Sequence, residues 1–454
     1  MSPSEPAAPP AAPSRTQPPA GPARPAPASP ELGDPARPSV WYVRLVMVAV
    51  VLAALNLRPA ITSLGALLEE ARTGLHMSGA VAGVLTSVPA ITFAVFGVAA
   101  PRLARRFGPG AVVCAGLVAI ATGLLLRPYA GGAVGFLAAS ALALIGIAVG
   151  NVLMPVIVKR YFPDRVGTMT GLYSMGLAIG TSVAAAATVP LTGALGGSWR
   201  TGLAVWGLLA VVAVVPWTYL LLRDRGRARA VREPAAEPDR SAGHQAVKSA
   251  AEPAVKPAGK IVRSPTAWAL GGFFGLQATG AYITMGWMPQ IFRDAGVPAQ
   301  TAGLLLAVTM VMGVPLAFVI PRLATRFRTQ GPIAAVLGLS GLTGYAGLFF
   351  APAEGAWVWA LLLGLSNCAF PLALTMIGMR ARTSAGVVRL SAFAQSTGYL
   401  ISIPGPLLVG VLYEHSGGWD LPVALMAALL VPQIALGLLA GRDRTIEDET
   451  GMRD

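Results

Sequence analysis

Apolar segments of about twenty residues recur along this 454-residue chain, and they constrain its fold more than any other feature. A segment of that length crosses the hydrocarbon core of a bilayer as an α-helix, because each helical residue adds about 1.5 Å. Charged residues make up only 12% of the chain, against about a quarter in an average soluble domain, and the mean hydropathy is +0.64. The sequence therefore predicts an all-α integral membrane protein.

Twelve such segments can be counted. Short connections join them, except for one long connection between the sixth and the seventh. The predicted transmembrane helices, called spans 1 to 12 below, cover residues 42–67, 79–100, 109–127, 132–158, 166–190, 200–222, 265–290, 300–320, 331–351, 355–379, 387–412 and 419–440.

The remaining segments lack an apolar face. Residues 1–40 are rich in Pro and Ala, and residues 223–263 hold ten Lys or Arg and five Asp or Glu. Such compositions cannot bury a core. The predicted order is a disordered cytoplasmic N-terminal tail (1–40), a first six-helix bundle (41–222), a cytoplasmic linker (223–263), a second six-helix bundle (264–441) and a cytoplasmic C-terminal tail (442–454).

An internal repeat supports two pseudo-symmetric bundles. Ala82-Gly83, followed by Pro101-Arg102-Leu103-Ala104-x-Arg106-Phe107, recurs 220 residues later as Ala302-Gly303 and Pro321-Arg322-Leu323-Ala324-x-Arg326-Phe327. Asn151-x-x-x-Pro155 in span 4 also recurs, as Asn367-x-x-x-Pro371 in span 10. Parallel repeats of six helices are typical of transporters whose two halves rock about a central site.

The net charge of +14 is explained by membrane topology, so no nucleic-acid partner is expected. Four loops on one side hold twelve basic residues, among them Arg380, and five loops on the other side hold four, among them Arg127. Because basic loops stay in the cytoplasm, both termini are predicted to be cytoplasmic, in a multi-pass protein of the cell (inner or plasma) membrane. The basic residues predicted to lie in the topology or gating loops after spans 2 and 8 are Arg102, Arg105, Arg106, Arg322 and Arg326.

Arg58 is the principal candidate for a binding residue. It follows Arg44 by fourteen positions in one apolar segment, which places it about 21 Å along the helix. A charge at that depth costs several kcal/mol unless it faces a cavity or a partner, and no Asp, Glu or His lies in the middle of any span. An anionic substrate would supply the missing counter-ion, since guanidinium suits planar oxyanions. A snorkelling or purely structural arginine is the alternative interpretation.

Other polar residues inside the spans could complete such a site. Asn56 lies two positions before Arg58, and the symmetry-related Asn151 and Asn367 carry amides that can donate to an anion or bond between helices. Gln277 and Tyr282 in span 7, and Gln395 in span 11 with Tyr173 in span 5, are further candidates, and Trp287 in span 7 is either a candidate or an anchor at the membrane interface.

Several of these pieces resemble a known family. Gly97-x-x-x-Pro101-Arg102-x-Ala104-Arg105-Arg106 is similar to the loop 2–3 signature of the major facilitator superfamily, with Pro101 in place of an Asp and Ala104 in place of a Gly. A gating contact ascribed to that Asp does not carry over. Within the superfamily, the chain resembles the cyanate/nitroimidazole porters over about residues 41–441, through Leu55-Asn56-Leu57-Arg58-Pro59-Ala60, the stretch Ala100 to Gly108, Phe273-Phe274-Gly275-Leu276-Gln277 with Tyr282 and Trp287, and Gln395-Ser396-x-Gly398-Tyr399.

The resemblance implies a secondary active or facilitative transporter of a small, anionic solute. A multidrug efflux transporter of the same superfamily is one alternative, although it predicts an intramembrane carboxylate that the spans lack. A membrane receptor or scaffold that has lost transport is another. No enzyme, metal or cofactor is expected, because there are two isolated cysteines and no phosphate-binding loop. The expected partners are a small-molecule substrate and the lipid bilayer, for a monomeric chain.

Overall fold

The structure, a computed structural model, describes residues 40–230 and 261–450 of the chain. The prediction of a disordered N-terminal tail therefore lies outside the described residues, as do residues 231–260 of the predicted linker and residues 451–454. The described part is helical apart from short connections and contains no β-strand.

Its helices follow the twelve predicted spans in order, some in two pieces. Spans 1 to 6 are Val40–Asn56 with Pro59–Ala66, Gly79–Phe107, Pro109–Leu126, Ala133–Tyr161, Val166–Ala194 and Trp199–Ala230. Spans 7 to 12 are Pro265–Asp294, Ala299–Val311 with Gly313–Arg326, Gly331–Phe350, Ala356–Asn367 with Ala369–Met379, Ser384–Ser402 with Pro404–Ser416, and Asp420–Ala440. Two short helices, Leu68–Gly74 and Ile446–Thr450, follow spans 1 and 12.

Span 7 is less apolar than its neighbours. In the described part of the chain, eleven of the spans are long and apolar enough to cross a membrane by length and composition, and Pro265–Asp294 is the remaining one. Its 30 residues are ample for a crossing, but Gln277, Tyr282 and several Thr and Gly residues dilute its hydropathy. Most of its side chains are buried within the protein, so it can carry polar groups that a lipid-facing helix could not.

Four spans break near prolines, whereas other prolines, such as Pro89 and Pro155, lie inside unbroken helices. Helices end at Val311, Asn367 and Ser402, each four residues before a proline (Pro315, Pro371 and Pro406). A proline ring clashes with the carbonyl four residues earlier and donates no hydrogen bond, so the helix is interrupted there. Span 1 breaks in the same way after Asn56, and its second piece begins at Pro59.

Most spans are longer than their apolar segments, which corrects one prediction. Arg102, Arg105 and Arg106 lie in the last turns of span 2, and Arg322 and Arg326 lie in the second piece of span 8, instead of in loops. All five are exposed. Hydropathy marks only the part of a helix that lies in lipid, whereas the backbone hydrogen bonds continue past Pro101 and Pro321 until Gly108 and Phe327 end the helices.

The two bundles of six spans meet through equivalent pairs. Span 2 packs on span 11 and span 8 packs on span 5, while the second piece of span 1 packs on span 7. The repeated glycines lie in these contacts, since a Cβ at Gly83 would be 2.8 Å from the Leu407 carbonyl oxygen and one at Gly303 would be 2.6 Å from that of Ala185. The sequence repeat thus records a repeated close approach of backbones.

The exposed arginines Arg102, Arg105, Arg106, Arg322 and Arg326 lie at one end of the bundles, which we call the basic end. Many contacts between the bundles lie at the opposite end. At that opposite end, Arg293 pairs with Glu70 at 2.8 Å, and Glu414 accepts a hydrogen bond of 2.8 Å from the backbone N–H of Ala80. Deeper, Trp287 donates to Thr86 at 3.1 Å. Trp287 is 1% exposed, so this residue of span 7 is an inter-bundle contact instead of an anchor in the lipid headgroups.

The segment after span 12 is ordered against the second bundle at the basic end. Arg380, expected in a basic loop, is buried and donates to the carbonyl oxygens of Ala440 (3.0 Å) and Gly441 (2.9 Å), with Gln330 as a further acceptor. Its Nη1 lies 3.6 Å from Asp443. Since the carbonyls that it binds end span 12, Arg380 is a structural residue, which charge counting cannot distinguish from a topology signal.

We predict that Gly83→Val destabilises the protein by about 1–3 kcal/mol, because the added atoms force spans 2 and 11 apart. Gly97→Val is the matched control, since it changes the same helix at a position with open space. The apparent unfolding temperature of the purified protein in detergent measures the difference. Equal behaviour of the two variants would contradict the close packing described here.

Replacing Arg380 with Gln is expected to cost about 1–3 kcal/mol of stability, because buried carbonyl groups lose their donor. Arg382→Gln should change stability by less than about 1 kcal/mol, since the exposed Arg382 forms only a surface pair with Asp448. Chemical denaturation followed by tryptophan fluorescence would compare the two. A loss in the Arg382 variant as large as that in the Arg380 variant would argue against the structural assignment.

Candidate functional site

Arg58 lies at the proline break in span 1. Its backbone joins the two helical pieces, and its carbonyl oxygen accepts a hydrogen bond of 2.9 Å from the N–H of Ile61. The side chain is half-buried and lies near enough to the Tyr282 hydroxyl on span 7 to interact with it. It is also close enough to Tyr173 on span 5 and Tyr399 on span 11 for its charge to act on both hydroxyl groups. One cation of the first bundle thus faces tyrosines from both bundles.

No carboxylate neutralises Arg58 in the described part of the chain. The ion pairs found in residues 40–230 and 261–450 are Arg72 with Glu69, Arg293 with Glu70, Arg380 with Asp443, and Arg382 with Asp448. These pairs lie at the two ends of the bundles. The guanidinium of Arg58 therefore keeps donors available for a bound group in a low-dielectric region, where each such bond is stronger than in water.

Aromatic rings surround the tyrosines that face Arg58. Phe93 of span 2 stacks on Tyr399 with ring centres 5.2 Å apart and an angle of 23° between the planes, and its centre lies 6.5 Å from that of Tyr282. Phe274 meets Tyr399 edge-on at 5.3 Å. These rings bring spans 2, 7 and 11 together. Sequence reasoning missed Phe93, because a phenylalanine in an apolar span gives no signal of its own.

The two repeated asparagines each bond to a polar residue of a neighbouring span. Tyr173 donates to Oδ1 of Asn151 at 3.1 Å, which connects this amide to the tyrosines around Arg58. Gln277 donates to Oδ1 of Asn367 at 3.0 Å and to its carbonyl oxygen at 3.3 Å. That carbonyl lies four residues before Pro371, so Gln277 satisfies a backbone group that the proline cannot. Oε1 of Gln277 is buried and has no hydrogen-bond partner.

Two predicted residues are placed differently. Asn56 is 1% exposed and donates to the carbonyl oxygens of Leu52 (2.8 Å) and Leu209 (3.3 Å), so it joins span 1 to span 6. Gln395 donates to Ser391 of its own helix at 2.7 Å. The geometry therefore groups Arg58 with Tyr282, Tyr173 and Asn151, and it gives Asn56 and Gln395 local bonds within or between helices.

Sequence reasoning also placed Arg127 in a loop, where it would be solvated. The structure buries it, with 2% of its surface exposed, in a short 3₁₀ turn after span 3. Its Nη1 donates to the carbonyl oxygen of Ala60 at 2.9 Å, and its Nη2 donates to Oγ of Ser63 at 3.3 Å. The sequence predicts a loop at this connection, but only the packing shows that the side chain of Arg127 folds back between the spans.

Comparison with known proteins agrees with this architecture. Residues 45–401 match the profile of the Major Facilitator Superfamily. The chain is 32% identical over 410 residues to the 2-nitroimidazole transporter of Escherichia coli (strain K12), covering 89% of this chain and 97% of that transporter. It is 30% identical over 387 residues to the cyanate transport protein CynX of the same organism, covering 85% of this chain and 94% of CynX.

A solved structure shares the fold at much lower identity. The inward-facing, unoccupied structure of a bacterial homologue of the human lysosomal transporter Spinster superimposes with a TM-score of 0.69 at 17% identity, over 89% of this chain and 98% of that one. The twelve helical spans, the repeat and the full-length relatives lead to one conclusion. This chain is a membrane transporter of the Major Facilitator Superfamily, related to the nitroimidazole and cyanate transporters.

Proposed function

We propose that this transporter carries a small anionic solute, and that Arg58 binds its anionic group. The observation that carries the proposal is a guanidinium at the proline break of span 1, among three tyrosines and without a carboxylate partner in the described residues. Tyrosine hydroxyl groups and a guanidinium together donate to a planar carboxylate, cyanate-like or nitro group. Of the two relatives, the one named for cyanate supports a small anion, and the one named for 2-nitroimidazole supports a solute that carries a nitro group.

Transport would proceed by alternating access, secondary active or facilitative. Arg58 and Tyr173 belong to the first bundle, and Tyr282 and Tyr399 belong to the second, so a solute bound among them contacts both. Closure of the end opposite the basic end would alternate with closure of the basic end. The contacts that close that opposite end are Glu70–Arg293, Trp287–Thr86 and the glycine contacts between spans 2 and 11. Asn151, Gln277 and Asn367 would act as secondary polar contacts, and a single chain would suffice because both bundles come from it.

Arg58→Lys and Arg58→Gln should lower uptake of the true substrate by about 10- to 100-fold, because a hydrogen bond to a charged group contributes about 1.5–3 kcal/mol. Arg44→Gln is the matched control, since Arg44 is an exposed arginine of the same span. Uptake into proteoliposomes is measured for a panel of small anions and nitro-heterocycles. A substrate of this panel whose uptake is unchanged in both Arg58 variants would sink the assigned role.

Tyr282→Phe should raise KM for that substrate by about 2- to 10-fold, since it removes one neutral hydrogen bond from the site. The ring and its contact with Phe93 are kept, so the unfolding temperature should stay within about 2 °C of the parent protein. Concentration-dependent uptake gives KM directly. A KM unchanged from the parent protein would place the solute away from span 7.

We propose further that the basic end faces the cytoplasm of a cell (inner or plasma) membrane, with both termini on that side. His76→Cys at the opposite end and Phe107→Cys at the basic end test this, because both positions are exposed and the native Cys114 and Cys368 are buried. A membrane-impermeant thiol reagent applied to intact cells should label the His76 variant alone. Labelling of the Phe107 variant alone would reverse the orientation.

A further inference from the structure

A second buried guanidinium, that of Arg127, also lacks a carboxylate partner in the described chain. Its two terminal nitrogens donate to one carbonyl oxygen and one hydroxyl group, both neutral, and its Cζ lies 5.9 Å from the centre of the Phe136 ring. Its Nε is fully buried and has no hydrogen-bond partner. An unpaired charge in such surroundings is costly, because neutral acceptors replace only part of its hydration.

Arg380 shows how this protein stabilises a buried arginine when it acts structurally. That side chain binds two carbonyl oxygens and Gln330, and a carboxylate of Asp443 lies 3.6 Å away. Arg127 has fewer acceptors and no acid. The difference indicates that something outside the polypeptide completes the surroundings of Arg127.

A small cavity adjoins Arg127. Its volume is about 20 Å³, and it lies between spans 1, 2, 4 and 7, with Thr86, Ser140 and Tyr282 among its lining residues. Ile61, Leu64, Leu85 and Leu144 supply apolar walls. Oγ of Ser140 is buried and, like Nε of Arg127, has no partner. Two residues from different parts of the first bundle, each with an unsatisfied donor group, therefore line one small cavity.

We propose that this cavity binds one small inorganic anion of the chloride class, held by Nε of Arg127 and Oγ of Ser140. The positive charge and the two donors favour an anion over water, and no carboxylate among the lining residues competes with it for the guanidinium. The volume admits about one water-sized particle, which excludes an organic solute. The site is separate from Arg58 and does not depend on the function proposed for it. Tyr282 lines the cavity and also reaches Arg58, so it connects the two sites.

The test measures thermal unfolding of the purified full-length protein in sodium chloride, sodium bromide or sodium gluconate at constant ionic strength. A bound anion stabilises the folded state in proportion to the logarithm of its concentration above Kd, so the unfolding temperature should rise steadily with each tenfold increase in chloride or bromide. Gluconate, too large for the cavity, should not. Anomalous scattering from bromide should give a peak between Arg127 and Ser140.

Variants assign the effect to the cavity. Arg127→Gln removes the charge, and Ser140→Val removes a donor and fills space, so both should abolish the halide-dependent shift. Ser140→Val keeps the test decisive if the Arg127 variant fails to fold. Ser340→Val is the matched control, because the buried Ser340 already donates to the Leu337 carbonyl oxygen at 2.7 Å, and its shift should persist. The shift should also persist in Arg58→Gln.

Three results would overturn the proposal. Equal unfolding temperatures in chloride and gluconate would mean that the cavity holds water. A halide shift that survives in Ser140→Val would place the anion elsewhere. If the halide shift is lost in Arg58→Gln but kept in Ser140→Val, the anion binds at the solute site. The function proposed for Arg58 would then stay intact.

Discussion

A backbone carbonyl in the interior of a membrane protein has no water to bond with, and the arrangement of this protein's centre follows from that constraint. Prolines interrupt four spans of the described chain, and each of these prolines leaves the carbonyl four residues before it without its helical donor. At Asn367 the freed carbonyl accepts a hydrogen bond from Gln277 of the neighbouring span 7. At Arg58 the break turns a helical position into a junction from which a long charged side chain reaches the other bundle. The same prolines that weaken the helices therefore create the polar centre.

Buried charge is the second constraint, and three arginines meet it differently. Arg380 is surrounded by carbonyl groups that end span 12, with an acid nearby, and it fixes the segment after that span. Arg58 is half-buried near tyrosines, and we propose it as the residue that binds the solute. Arg127 is wholly buried beside a cavity for about one small particle. The same residue type thus stabilises structure in one place, and we propose that it binds an anion in the two others.

The repeat in the sequence has a direct physical meaning in the assembled protein. Gly83 and Gly303 lie in the span 2–span 11 and span 8–span 5 contacts, where a side chain would meet a backbone carbonyl. Gly176 and Gly180 play a similar part between spans 5 and 1, where Ala54 and Leu55 approach them closely. Because small residues allow backbones to approach, the bundles pack through van der Waals contact where lipid gives little hydrophobic driving force.

The sequence by itself determined the fold class, the number and order of spans and the family, because the length of an apolar segment and the family motifs are local properties of the chain. It also singled out Arg58, since a charge at that depth stands out against an acid-free interior. Only the tertiary structure decided which polar residues lie near Arg58: it brought Tyr282, Tyr173 and Tyr399 close, bonded Asn151 to Tyr173, and turned Asn56 towards span 6. It also buried Arg127 and Arg380, which a sequence presents as ordinary loop arginines. The physical reason is that partners across a bundle are set by helix rotation and by backbone breaks, and these depend on contacts between residues far apart in the chain.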